Sequence, residues 1–131
     1  MKKHDQIILE LLEKYKRKED VVGIYLFGSI AIGKAKPSSD IDIEIIFKKR
    51  KKGYELIQKK INGISIDLSL YSLERFKEDF SEKIYITYPA LKNKILYDPK
   101  GILKKYLRNI EKYFEKNPQI LKFWNDKEKK Y

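Results

Sequence analysis

Residues 40–47 read DIDIEIIF, and the order of those side chains constrains the chain more than any other feature. Successive residues of a β-strand point to opposite faces of the sheet. Ile41, Ile43, Ile45 and Phe47 therefore share one face, and Asp40, Asp42 and Glu44 share the other. Residues 64–71, ISIDLSLY, repeat the pattern, with Ile64, Ile66, Leu68 and Leu70 on one side and Ser65, Asp67 and Ser69 on the other. Each such strand needs a layer to bury its aliphatic face and leaves its carboxylates where a ligand can reach them. A third run, 21–27 (VVGIYLF), is apolar and β-branched throughout, which predicts a buried strand ended by Gly28 and Ser29.

The remaining segments supply the covering layer. Residues 5–18 predict an amphipathic helix with Ile7, Ile8, Leu11, Leu12 and Tyr15 on one face. A short helix is expected from Ser29 to about Lys34, then a turn at Pro37, Ser38 and Ser39. After the basic loop Lys48 to Lys52, a helix is expected over about 53–61, closed by an Asn62-Gly63 turn. Ser72 can cap a helix carrying Leu73, Phe76 and Phe80. Residues 94–97 (KILY) read as a short strand. Asp98 as N-cap with Pro99 at the first helical position opens a helix through Leu103, Tyr106, Leu107, Ile110 and Phe114. Asn117 and Pro118 end it, and the tail, 118–131, keeps Ile120, Leu121, Phe123 and Trp124, to dock either on its own chain or on a partner.

Bulk composition narrows the class. A length of 131 residues suits a single domain, 1–131, with a modest core. Hydrophobic residues at 42% and charged residues at 37% give the balance of a folded, water-soluble chain. No apolar run approaches membrane-spanning length and the N-terminus leads into no signal-peptide core, so the expected location is cytoplasmic. The absence of cysteine removes disulfides, zinc–thiolate sites and cysteine nucleophiles, and a single histidine removes Ser-His-Asp chemistry. The net charge of +11 permits nucleotides, nucleic acid or an acidic partner, but lysines interspersed with glutamates are also common in proteins from hot environments.

The chemistry is carried by carboxylates and a glycine. Residues two apart on a strand project roughly 6–7 Å apart along one face, so Asp40 and Asp42 form a pair at the strand start. If the strand bearing Asp67 is a neighbour in the right register, three carboxylates converge. Their mutual repulsion is relieved by a divalent cation, and Mg²⁺ favours such oxygen ligands. Gly28 and Ser29 stand at a strand-to-helix junction, where a phosphate can approach the backbone, the N–H groups of a helix start and a hydroxyl. A phosphate cradle close to metal-binding carboxylates is what nucleotidyl transfer requires.

The stretch GSIAIGKAKPSSDIDI resembles the signature of the DNA polymerase β-like nucleotidyltransferase superfamily. It is similar in particular to the minimal nucleotidyltransferases that act as antitoxins paired with HEPN-domain toxins. ISIDLSLYS resembles the family's third-carboxylate strand and KILYDPKGIL its last strand and following helix, so the likeness spans roughly residues 20–115. It implies an α/β fold (α+β in stricter terms) built on a mixed sheet of about four strands. Helices are expected mainly on one face and the acidic site on the other. It implies that Asp40 and Asp42 ligate two Mg²⁺ ions. Asp67 ligates the catalytic ion and helps activate the attacking hydroxyl, and Gly28 and Ser29 hold the β- and γ-phosphates. The implied substrate is ATP, the acceptor a tyrosine of the toxin, and the products a nucleotidylated acceptor and pyrophosphate. Two positions depart from the pattern: many members carry Arg where this chain has Ile32 and an acid where it has Ser38. Two other functions remain open, an antitoxin that neutralises by contact alone and an RNA-directed nucleotide-adding enzyme.

Other features read more plainly. Residues 28–35, GSIAIGKA, nearly spell a phosphate-binding P-loop, but Ala35 stands where a Ser or Thr hydroxyl is needed, so Lys34 reads as a surface lysine. Glu44 is expected to face solvent, His4 to be incidental at a frayed terminus, and Lys48 to Lys52 to be a solvated loop. The ten tyrosines are expected mostly in the core or on amphipathic surfaces.

Overall fold

A computed structural model describes residues 2–129, the side chains of 128 and 129 excepted. Helix α1 (Lys2–Lys16) leads into β1 (Val21–Phe27), the short helix α2 (Gly28–Ala31) and β2 (Ile41–Phe47). β3 (Tyr54–Ile61), β4 (Ile64–Ser72), α3 (Leu73–Ser81), two 3₁₀ turns, β5 (Lys94–Tyr97), α4 (Ile102–Lys116) and α5 (Pro118–Lys129) follow. The strands form one sheet in the order β3-β4-β2-β1-β5. β2 and β4 run parallel, and the other three pairings are antiparallel. The expected fold class holds, with five strands in place of about four.

The additional strand is β3, where a helix was expected over 53–61. Its exposure alternates residue by residue. Ile57 and Ile61 meet the core while Tyr54, Leu56, Gln58 and Lys60 point the other way. A lysine-rich segment whose polar residues fall on both faces carries a weak period-two signal, which is what an edge strand tolerates. The turn was the better guide. Asn62 (φ 52°) and Gly63 (φ 80°) are both left-handed, the backbone of a tight hairpin that joins two strands.

The two faces of the sheet bury different layers. On one, α1 sets Ile7, Ile8 and Leu11 against Ile24, Leu26, Ile41, Ile43, Ile45, Ile66 and Leu68. On the other, α3 and α4 bring Phe76 and Leu103 onto Val22, Tyr25 and Ile46, and α5 packs on α4 through Ile120, Leu121 and Trp124. Most of the helical mass thus lies on one side, but that side also bears the aspartates, contrary to expectation. Phe76 and Leu103 cover only part of it, and the start of β2 stays open. The tail docks on its own chain. Trp124 stacks on Tyr88 with centroids 5.9 Å apart and donates its indole N–H to the Tyr85 carbonyl at 3.0 Å. Among the described residues no helix is long and apolar enough to cross a membrane.

Helix starts follow local chemistry. Ser72 Oγ accepts from the Arg75 N–H at 3.1 Å, the expected cap of α3. Asp98 also caps α4, accepting from the N–H groups of Leu103 and Lys104 at 3.1 and 3.0 Å, but the helix begins at Ile102 and not at Pro99. Phe76 lies 4.3 Å from Phe80 and 5.4 Å from Tyr106, centroid to centroid, and holds α3 and α4 to the sheet. Phe76→Ala is expected to cost about 3–5 kcal/mol in urea unfolding, whereas Phe123→Ala, at a residue 61% exposed, should stay within about 0.5 kcal/mol. Equal effects would contradict this assignment of the core.

Candidate active site

The pairing of β2 with β4 decides the geometry of the acidic face. In parallel register Asp42 stands opposite Asp67, Glu44 opposite Ser69, and Ile46 opposite Tyr71. The backs of the same strands pair Ile41 with Ile66, Ile43 with Leu68 and Ile45 with Leu70, all buried. The two carboxylates meet because the aliphatic residues between them are locked into the core. Asp40 precedes β2 and is exposed, while Asp42 and Asp67 are half-buried.

Electrostatics reflect that proximity. Burial first, then the charge of Asp67, a hydrogen bond with it and the charge of Asp40 push the Asp42 carboxyl up to about 6. Asp67 is steadied from the edge strand, Oδ1 accepting from Gln58 Nε2 at 3.1 Å. Among the described residues, no three acidic or imidazole side chains stand close enough together to form a ready-made metal cluster. The donor set nonetheless fits Mg²⁺, since all three groups are carboxylates, the oxygen ligands that ion favours.

Gly28 closes the site from the β1 side, where Phe27 pairs with Asp42. Its φ of +75° is strained for any side chain, and a Cβ there would lie 2.5 Å from Asp42 Oδ2. Glycine is required twice, for backbone conformation and for the space Asp42 occupies. Ser29 follows, half-buried, at the start of α2. That helix ends at Ala31, earlier than expected. Ile32, Lys34 and Ser38 are exposed, which agrees with the reading of Lys34 as a surface residue. The five proposed site residues therefore fall in one region: Asp42, Asp67 and Gly28 in direct proximity, with Asp40 and Ser29 flanking them.

Two residues behave differently from expectation. His4 is 2% exposed, and its Nε2 lies 2.8 Å from the Ser39 carbonyl oxygen. A carbonyl only accepts, so Nε2 carries the proton. The ring ties α1 to the residue just before Asp40, a role that position in sequence gave no sign of. Glu44 is not at a solvated edge: it is half-buried, bordering a cleft between the sheet, α3 and the 3₁₀ turns, and burial, with the charge of Asp79, pushes its carboxyl up to about 8. The signal available was Glu44's place beside Ile46 on a strand whose neighbours are both central, but the order of strands was needed to read it.

The sequence profile of the family described as polymerase beta, nucleotidyltransferase, matches residues 8–100. The chain belongs to this family. Among solved structures, a nucleotidyltransferase-like protein from Exiguobacterium sibiricum 255-15 superposes with a TM-score of 0.61 at 11% identity, over 82% of this chain and 38% of that one. That likeness establishes a shared nucleotidyltransferase fold, and the chain spans well under half the length of that relative. Comparison with curated proteins gave no significant match.

The raised carboxyls bear on stability with a definite sign. A folded-state value above the unfolded one means that the folded chain holds the proton more tightly. The stabilisation is therefore complete at acid pH and is lost as pH rises through about 6 for Asp42 and about 8 for Glu44. In EDTA, Asp42→Asn is expected to melt above wild type at pH 8 and to flatten the fall in Tm between pH 5 and 8; an equal or lower Tm at pH 8 would refute the repulsion described. His4→Phe should cost about 1–2 kcal/mol in urea unfolding by orphaning the Ser39 carbonyl, and no loss would return His4 to an incidental role.

Proposed function

We propose that this nucleotidyltransferase domain moves AMP from ATP to an acceptor hydroxyl in a Mg²⁺-dependent reaction. The observation that carries the reading is the register of Asp42 against Asp67 beside a glycine that only a side-chain-free residue can occupy. Asp40, Asp42 and Asp67 would hold two Mg²⁺ ions, which supply charge neutralisation at the phosphates and a more acidic acceptor hydroxyl. Gly28 presents open backbone, and Ser29 a hydroxyl, to the β- and γ-phosphates of the triphosphate. Asp67 stands on the side of Asp42 away from that turn, next to Gln58, where it can orient an incoming hydroxyl and take its proton. The acceptor oxygen then forms a bond to the α-phosphorus as the bond to the departing pyrophosphate breaks.

The acceptor we assign is a tyrosine of a partner HEPN toxin, with the whole chain acting as one cytoplasmic antitoxin domain. Support for the partner comes from the resemblance of GSIAIGKAKPSSDIDI to the antitoxin members of the family. The exposed Ile32, in place of the usual arginine, leaves the phosphate side of the site without that cation. Incubation with α-³²P-labelled ATP and Mg²⁺, with and without the product of the neighbouring gene, tests the reading. Label should appear on the partner's tyrosine and fall by roughly 1,000-fold with Asp42→Asn, the kinetic equivalent of several kcal/mol. Label on RNA alone would make the chain an RNA-directed enzyme. No label from any NTP on protein or RNA, with the toxin still neutralised, would make it an antitoxin that acts by contact.

A further inference from the structure

Strand β3 is one edge of the sheet. Among the described residues it pairs with β4 on one side and with no strand on the other. It is eight residues long, against four for β5 at the opposite edge. An edge of this length presents a row of unpaired backbone N–H and C=O groups, a template for another strand. One of its faces also leaves two large apolar side chains in solvent, Tyr54 at 40% and Leu56 at 46% exposure. Lysines on an edge repel most incoming strands. Here Lys59 and Lys60 form no ion pair among the described residues, while Glu55 is held by Arg50 Nη2 at 2.8 Å. The edge therefore disfavours a basic strand and fits one that sets a carboxylate against Lys59 and a cation against Glu55.

We propose that this edge is a dimer interface and that its occupant is β3 of a second copy of the chain, antiparallel to the first. Symmetry restricts the register. A two-fold axis relating two antiparallel strands stands perpendicular to the sheet, so side chains of the same face meet and the axis passes through a residue. Axes through Ile57 or Gln58 use the strand most fully. Through Gln58, Glu55 would face Ile61, Ile57 would face Lys59 and Leu56 would face Lys60, and no charge would find its opposite. Through Ile57, that residue faces its own copy, Glu55 faces Lys59, Leu56 faces Gln58 and Tyr54 faces Lys60. Two Glu55–Lys59 pairs then flank the axis, and the exposed Leu56 and Tyr54 gain cross-strand neighbours. The two sheets become one, with both acidic sites on the same face. Gln58, which donates to Asp67, and Lys60 border a cleft of about 310 Å³ that also touches Asp40. Leu56 and Tyr54 of the second copy stand opposite these two residues, so the dimer adds apolar walls to the outer side of the acidic site. A single strand pair is a small interface, which places the dimer among weak, reversible assemblies.

Analytical ultracentrifugation of the full chain from about 1 to about 500 μM tests this, the range in which a weak dimer forms and dissociates. Circular dichroism verifies that each variant folds. Wild type should pass from monomer to dimer across the range. Lys59→Glu breaks no ion pair of the described residues but sets Glu against Glu on both sides of the axis, and should weaken the dimer at least about 10-fold. Glu55→Lys should weaken it similarly by setting Lys against Lys. An equimolar mixture of the two variants should dimerise again, because in the mixed pair every Lys meets a Glu. If Glu55→Lys did not fold, Glu55→Gln takes its place, and its mixture with Lys59→Glu should associate more tightly than Lys59→Glu alone. A wild type that stays monomeric throughout would overturn the proposal, whether or not another protein binds the edge. A dimer that Lys59→Glu leaves unchanged would place the interface elsewhere, and folded variants that fail to restore each other would exclude the axis through Ile57. None of these outcomes touches the nucleotidyltransferase reading, which the labelling of an acceptor decides.

Discussion

The parallel pairing of β2 with β4 is the constraint on which the rest depends. Its aliphatic side, Ile41, Ile43 and Ile45 against Ile66, Leu68 and Leu70, is buried under α1. Because side chains alternate strictly, a slip of one residue in either strand would turn its isoleucines and leucines out and its aspartate into the core. The hydrophobic effect thus fixes where two carboxylates stand with respect to each other, although their own interaction is repulsive. The same pairing explains the order of strands. β4 fills the position between β2 and β3, so the Asn62-Gly63 hairpin returns the chain into the centre of the sheet, and Asp67 reaches Asp42 as a direct neighbour.

That arrangement holds charge in an unfavourable place. Asp42 and Glu44 are both shifted towards their protonated forms, chiefly by burial. Gly28 adds a left-handed backbone and leaves no atom between itself and the Asp42 carboxyl. Such local conflicts persist when the surrounding core over-determines them, and they concentrate where a ligand will supply the missing partner. On the proposed reading a cation relieves Asp42, so substrate binding and relief of repulsion are one event.

Much of this is legible in the sequence. Alternation identified β2 and β4 and the faces of Asp42 and Asp67, the apolar run identified β1, and the serine cap located α3. What the residues alone did not supply was adjacency, since periodicity tells which way a side chain points but not which strand lies beside it. Glu44 was misjudged for that reason: its exposure depends on α3, which arrives from a distant part of the chain. β3 was misjudged because lysines on an edge strand blur the two faces, although its hairpin turn carried the information. His4 was missed because its partner is a backbone carbonyl, which no sequence pattern marks.

The contact made by His4 links the two halves of the argument. Helix α1 seals the aliphatic face of the sheet, on the side away from the aspartates, and its first turn reaches round to hold the Ser39 carbonyl. The segment from Ala31 to Asp40 is otherwise tied down chiefly by its own short-range bonds, Lys34 N to the Ser29 carbonyl and Ser39 N to the Lys36 carbonyl. A loop held only locally leaves its last residue free to swing, and Asp40 is that residue, one step before β2 begins. With His4 in place the position of Asp40 is set from both sides, by the buried Ile41 that follows it and by the helix behind the sheet. The core on one face therefore governs the acidic site on the other through two routes, the register of β2 with β4 and the anchoring of the loop that leads into it.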